Sequence, residues 1–201
     1  KAHFLMLMRD EWLAALHSHF DDATGVLTIR NNGALVAEGN LETVEGRAAI
    51  ERFFAESYAG SIKGPPKVLA SEGHSFSDIA RKVVSIINLG SVQAIENIVG
   101  QPVHPLRFRA NLYVSGWPAW HEFDLLDQTL AIGDIRLKVV KRITRCAAVN
   151  VDPDTAARDL RIPQALTQRL GHNECGVYAE VIAGGTIGVG DTIAVEEPKL
   201  L

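Results

Sequence analysis

The stretch KRITRCAAVNVDPDT, residues 141–155, sets Cys146, one of the chain's two cysteines, between a basic strand-like run and an Asp-Pro-Asp turn. A thiolate is a nucleophile and a soft metal ligand, whereas a thiol in apolar surroundings is inert packing. On its own neighbours Cys146 reads first as the inert kind. Upstream, RFRANLYVSG (residues 107–116) reads as a strand, which would set Arg107, Arg109, Asn111 and Tyr113 on one face. That row of donors is either a solvated face or a cradle for an anion, since a planar guanidinium holds a phosphate with two hydrogen bonds. Ser91, opening SVQAIENIVG, reads as a helix N-cap. The N–H groups behind it carry the positive end of a helix dipole and form a second anion-binding element. Asp152, just before a proline, has the plain role of shaping a turn. Cys175, His172 and His74 show no ligand spacing and receive no role.

These residues need elements to hold them, and the pattern is one of short strands and short helices. EWLAALHSHF (11–20) carries apolar residues at helical spacing and predicts a first helix. VLTIR and ALVAEG, joined by Asn31-Asn32-Gly33, predict a hairpin, and Thr43 to Tyr58 a helix ending before Gly60. Gly64-Pro65-Pro66 breaks the chain and divides it into a segment 1–66 and a core 67–201. Beyond it, KVVSIINLG predicts a buried strand and SVQAIENIVG a two-turn helix stopped by Gly100. LAIGDIRLKVVKRI turns at Gly133-Asp134, and GVYAEVIAGG and TIGVGDTIAVE add strands. This succession predicts a mainly β, α+β domain, a barrel or sandwich with peripheral short helices rather than a doubly wound sheet.

Composition narrows the class of partner. The 201 residues, 47% apolar and 22% charged, are those of an ordinary globular protein. A net charge of -4 gives no basic field for a phosphate backbone, so nucleic acid is not expected. The opening apolar run, Phe4 to Met8, is too short for a membrane span or a signal peptide, which predicts a cytoplasmic protein with no membrane partner. Two cysteines outside any CxxC pair build neither a disulfide framework nor a zinc site. Lys1 starts in mid-pattern, and an open sheet edge is a liability, so further N-terminal strands are expected before it.

Together RFRAN (107–111), TRC (144–146), NVDPDT (150–155) and GVYAEVIAGGTIGVGDTI (176–193), in this order, resemble the MOSC family. Its domains are named for the C-terminus of molybdenum cofactor sulfurase and include the mitochondrial amidoxime-reducing proteins and their bacterial relatives. The resemblance runs from about Val68 to Val195 and implies a MOSC-type β-barrel. It departs from the family pattern at Ala110, where proline is usual, and at Ala156, where glycine follows Asp-Pro-Asp-Thr. A lysine that the family's N-terminal strands direct to the cofactor phosphate has no equivalent.

What the resemblance implies is a site for molybdenum cofactor. Cys146 becomes the metal ligand, and Arg109 and Asn111 become contacts to the pterin. Thr144 and Arg145 flank the ligand, Ser91 matches a serine near the cofactor, and Asp152 an aspartate close to the metal. A thiolate is the soft donor that molybdenum takes, and a cation such as Arg145 favours its deprotonated form. Asp152 could then orient a water or pass a proton. The implied function is an oxidoreductase that reduces N-hydroxylated or other N-oxygenated small molecules. With no ferredoxin-type cysteine cluster in the chain, its electrons come from a separate ferredoxin- or flavoprotein-type donor. The alternative is a non-catalytic carrier, holding the cofactor or a persulfide sulfur on Cys146. Both readings predict that Ser91, Arg109, Asn111 and Cys146 line one cavity.

Overall fold

The structure is a computed structural model and describes residues 3–73 and 79–196. Two compact units make up the chain, Lys1–His74 with Val151–Asp159, and Ser75–Asn150 with Leu160–Leu201.

The first unit holds an antiparallel sheet of three strands, β1 (Leu16–Asp21), β2 (Val26–Asn31) and β3 (Ala34–Asn40), in that order. Asn32 and Gly33 turn the β2–β3 hairpin at φ 49° and 79°, the left-handed conformation that a two-residue hairpin loop requires. Helix α1 (Val44–Ser57) follows, capped by Thr43, whose hydroxyl accepts the Gly46 N–H at 3.0 Å. Gly39 and Gly46 let α1 meet β3, since a Cβ on Gly39 would lie 2.2 Å from the Gly46 carbonyl oxygen. The helix expected over 11–20 is absent. Glu11–Ala15 makes one 3-10 turn, and Leu16 onward pairs with β2, because a short run with polar residues between its apolar ones satisfies either period and the neighbouring strand decides. Trp12 stacks on Tyr58 with ring centroids 3.8 Å apart.

Residues 151–159 belong to this first unit. Val151 bridges Arg158, whose guanidinium donates to the Met8 carbonyl at 3.2 Å and to Glu11 at 3.0 Å.

The second unit is built on a six-stranded sheet, ordered β5-β4-β8-β7-β6-β9. The strands are β4 (Val84–Asn88), β5 (Leu112–Val114), β6 (Thr129–Ile132), β7 (Ile135–Thr144), β8 (Glu174–Ala183) and β9 (Ala194–Val195). Among the described residues only β4 and β5 run parallel. The mainly β, α+β class expected from the sequence holds, and among the described residues nothing pairs β5 with β9 to close this sheet into a barrel. Most of TIGVGDTIAVE stays outside the sheet, and only Ala194 and Val195 pair with β6. Its glycines weaken a strand's hold on its neighbour.

Both faces of this sheet carry core, as the continuous apolar run of β4 foretells. Ile86 packs with Leu130, Leu137, Val139 and Val177 on one face. On the other, Ile87 and Cys175 pack with Ile95 of helix α2 (Leu89–Val99) and with Ile162 and Leu166 of helix α3 (Ile162–Leu170). The β7–β8 pairing, the longest in the sheet, shifts register three times, once between Arg142 and Thr144. Each shift frees backbone groups from the ladder.

Ala156, which stands where the family has glycine, adopts φ 58°. The glycine conformation is thus kept without the glycine, at a steric cost of about 1 kcal/mol. Ala156→Gly should therefore stabilise the protein by about 0.5–1 kcal/mol, read as a higher urea midpoint at unchanged slope.

Candidate functional site around Cys146

Cys146 is exposed and begins the connection that leaves β7. Its carbonyl accepts from Val149 at 3.3 Å and closes a 3-10 turn over Ala147–Asn150. The residue before it is pinned at both backbone groups, because the Arg145 N–H donates to the Asn173 carbonyl and the Asn173 side chain donates to the Arg145 carbonyl, each at 2.9 Å. An exposed thiol on a backbone fixed this way presents a reactive group without losing its position.

Arg145 turns inward. It is 8% exposed, its Nε donates to the Cys175 carbonyl at 2.8 Å and its Nη1 to the Phe108 carbonyl at 3.2 Å, and its head lies over the Phe108 ring. Burial pushes the guanidinium below its ordinary value, partly countered by the neighbouring Cys175, Tyr178 and Cys146 groups. One side chain thus joins three places in the sequence: the residue before Cys146, the residue before Arg109 and the start of β8.

A second buried charge reaches the same place from the other side. Glu122 is fully buried. Its Oε2 accepts from Asn88 Nδ2 at 2.9 Å and from the Ser91 hydroxyl at 2.8 Å, and its Oε1 accepts from the Gly176 N–H at 3.2 Å. The Gly176 N–H and the Cys175 carbonyl belong to one peptide group. Glu122 and Arg145 therefore hold opposite ends of the same peptide, which lies opposite the register shift between Arg142 and Thr144. Gly176 sits at φ 76°, and a Cβ there would lie 2.5 Å from the Ile86 carbonyl and 3.1 Å from Arg145 Nη2.

The structure corrects several expected placements. RFRAN is not a strand: Pro105–Phe108 is a 3-10 turn, Arg109 follows at φ 46°, and β5 begins only at Leu112. The single donor face therefore does not exist. Arg107 is buried with its Nη1 on the Asn150 carbonyl at 3.1 Å, while Arg109 and Asn111 are exposed. Asn111 Oδ1 accepts from the Ser85 N–H at 2.9 Å and from its hydroxyl at 2.8 Å, which fixes the amide at the rim of β4. Ala110 uses the N–H that proline would lack, donating to the Tyr113 hydroxyl at 2.9 Å.

Ser91 is not the cap of α2. That role falls to Asn88, whose side chain accepts the Gly90 N–H, and Ser91 is buried inside the first turn, donating to Glu122 and accepting from the Trp120 N–H at 2.8 Å. Thr144 is exposed at the end of β7 opposite Glu174. Asp152 lies in the first unit, where its Oδ1 accepts from Asp154 N–H, Thr155 N–H and the Thr155 hydroxyl, the bonds of a turn former. Cys175 lies in strand β8 and is fully buried, and burial pushes its thiol up to about 12. His172 is half-buried, edge-on to the Trp120 and Phe123 rings. His74 lies outside the described residues.

The family model for the MOSC domain matches residues 67–194. The chain belongs to the MOSC domain family. It is similar to mitochondrial amidoxime-reducing component 1 of Mus musculus, 29% identical over 113 residues, which cover 56% of this chain and 32% of that protein. The same protein of Homo sapiens is 30% identical over 122 residues, covering 54% of this chain and 35% of its own. The matched region thus spans about a third of these relatives. A crystal structure of YiiM from Geobacillus stearothermophilus matches with a TM-score of 0.45 at 20% identity, covering 57% of this chain and 54% of the other.

Within the MOSC domain, sequence reasoning missed Glu122. Its signal was present in WPAWHEF, where a carboxylate stands among three large aromatic residues, a setting that a charge enters only with hydrogen-bond partners supplied. Among the described residues no group of three His, Cys, Asp or Glu could hold a metal ion.

The two thiols should separate cleanly. Iodoacetamide at pH 8 should modify one cysteine per native chain, Cys146, and reach Cys175 only after denaturation; mass spectrometry of the peptides reads the result. Gly176→Ala, which meets both a positive φ and a backbone oxygen, should cost about 3 kcal/mol, measured by urea unfolding.

Proposed function

We propose that this MOSC chain holds molybdenum cofactor, with Cys146 as the metal's protein ligand, and reduces N-hydroxylated or other N-oxygenated small molecules using electrons from a separate ferredoxin- or flavoprotein-type donor. The observation that carries this reading is the contrast between the two cysteines. Cys146 is exposed on a pinned backbone, follows a buried cation and lies in the Arg-Cys motif, while Cys175 is core. The relatives named for amidoxime reduction supply the reaction class.

The donor set fits the group. Molybdenum cofactor carries dithiolene sulfurs and oxo groups of its own, so a single soft thiolate completes it and the lack of a protein ligand cluster among the described residues is no obstacle. When bound, it supplies the redox and oxygen-atom chemistry. The chain's own residues bind and orient. Cys146 holds the metal end, and the exposed Arg109 guanidinium offers a charge-assisted contact to an anionic group. Asn111, fixed through Ser85, offers its amide nitrogen as a donor. Thr144 flanks the ligand as an exposed hydroxyl. Ser91 acts from inside, on Glu122, and Asp152, engaged in its own turn, is given no part in holding the cofactor.

Purification from a host that makes molybdenum cofactor, followed by metal analysis and amidoxime reduction with an artificial electron donor, tests the reading. Cys146→Ser should lose most of the molybdenum and the turnover, because a hydroxyl is a harder donor and ionises poorly near neutral pH. Cys175→Ser should keep both. Arg109→Ala should weaken cofactor retention by about 1.5–3 kcal/mol without changing the unfolding midpoint. Bound molybdenum without reduction of any N-oxygenated compound would identify a carrier instead, and sulfur released from Cys146 by cyanide would identify a persulfide carrier. A Cys146→Ser protein that retains molybdenum and turnover overturns the ligand assignment.

A further inference from the structure

Two polar links meet at the peptide between Cys175 and Gly176, and a third carries on from Arg145, so that they reach both loops that carry the exposed candidate residues. Arg145 Nε takes its carbonyl, Glu122 Oε1 takes its N–H, and Arg145 Nη1 continues to the Phe108 carbonyl beside Arg109. Glu122 is itself anchored at Oε2 by Asn88, which closes β4, and by Ser91 in the first turn of α2. Every partner of Glu122 is a donor, and both of its oxygens are used. An amide would not satisfy them all: whichever way glutamine were turned, its NH2 would face the Gly176 N–H or the Asn88 amide nitrogen, both donors.

We infer that Glu122 is a positioning residue for Cys146, acting through the 175–176 peptide on Arg145, so that the segments bearing Cys146 and Arg109 keep one arrangement. Without the carboxylate, the Gly176 N–H at the bulge loses its acceptor, and the peptide is free to turn. Its carbonyl then leaves Arg145 Nε, and the guanidinium has fewer fixed partners on which to align the two segments. Arg145 Nη2, buried with no hydrogen-bond partner among the described residues, is a donor ready to take up a displaced acceptor, which gives the head an alternative placement. The proposal rests on the molybdenum reading only for what Cys146 does; the alignment itself belongs to the cofactor-free chain.

Fluorine NMR of the full chain, metal-free and labelled at Cys146 with a trifluoromethyl ketone reagent, tests the alignment directly. Cys175 is buried and should not react, which Cys146→Ser checks by taking up no label. The parent should give one resonance. Glu122→Gln, at a temperature where circular dichroism shows it folded, should give a second resonance of at least about a tenth of the intensity, the population of a minor conformer. Arg145→Lys keeps the charge but loses the planar fork that spans the Cys175 and Phe108 carbonyls, and should split the signal likewise; it decides the matter if Glu122→Gln does not fold. Glu180→Gln, which removes a carboxylate paired with Arg81, should leave one line. A single line of parental width in the folded Glu122 or Arg145 variant overturns the inference. Loss of stability alone does not split the line of a folded protein, so a residue serving only stability would not give this result. The spectra need no cofactor, so a parent chain that fails to bind molybdenum would sink the proposed function and leave this result standing.

Discussion

A carboxylate and a guanidinium, both withdrawn from water, hold the two ends of one peptide group. Neither charge meets the other directly. Glu122 polarises the Gly176 N–H and Arg145 the Cys175 carbonyl, so the amide dipole lies between them as a neutral bridge. Taking a charge out of water costs several kcal/mol, and directed hydrogen bonds must offset it. Glu122 has three donors from backbone and side chains, whereas Arg145 leaves Nη2 without a partner among the described residues. Removing one member of such a set costs more than the set contributes to stability, because the others keep their desolvation and lose their partner.

The rest of the second unit is arranged so that this peptide is available. In a regular strand the two ends of a peptide face opposite neighbours and are taken up by their ladders, whereas at the shift between Arg142 and Thr144 the Gly176 N–H goes to Glu122 and the Cys175 carbonyl to Arg145. Gly176 is required twice over, for its positive φ and for the Ile86 carbonyl that leaves no space for a Cβ. Asn88 ends β4, caps α2 and donates to Glu122, so the strand, the helix and the buried carboxylate share one residue. Cys175, beside the bridge, is part of the core with α2 and α3, and Arg107 fastens the turn before Arg109 to Asn150.

How much of this could be read from the sequence depends on range. The hairpin at Asn32-Gly33, the helix capped by Thr43, the buried strand with Ile86 and Ile87, and the stop at Gly100 are set by neighbours in the chain and are legible there. RFRAN looked like a strand because its residues alternate, but Pro105 starts a 3-10 turn and Arg109 takes a left-handed φ, so alternation had no pleat to act on. The run 11–20 failed for the opposite reason, a tertiary partner overriding a helical spacing. The exposed Cys146 and its motif were legible through resemblance to a family. Glu122 was not, since the three groups that make its burial tolerable lie 31 or more positions away in the sequence.

The return of residues 151–159 to the first unit constrains how this protein can be divided. The MOSC match over 67–194 runs straight through that return, so a fragment trimmed to the match would keep Arg158 and discard Met8 and Glu11, the groups it binds. No single cleavage, at the Gly-Pro-Pro break or elsewhere, separates the two units intact. Recombination that exchanges one for a homologue's must therefore carry two stretches of the gene at once.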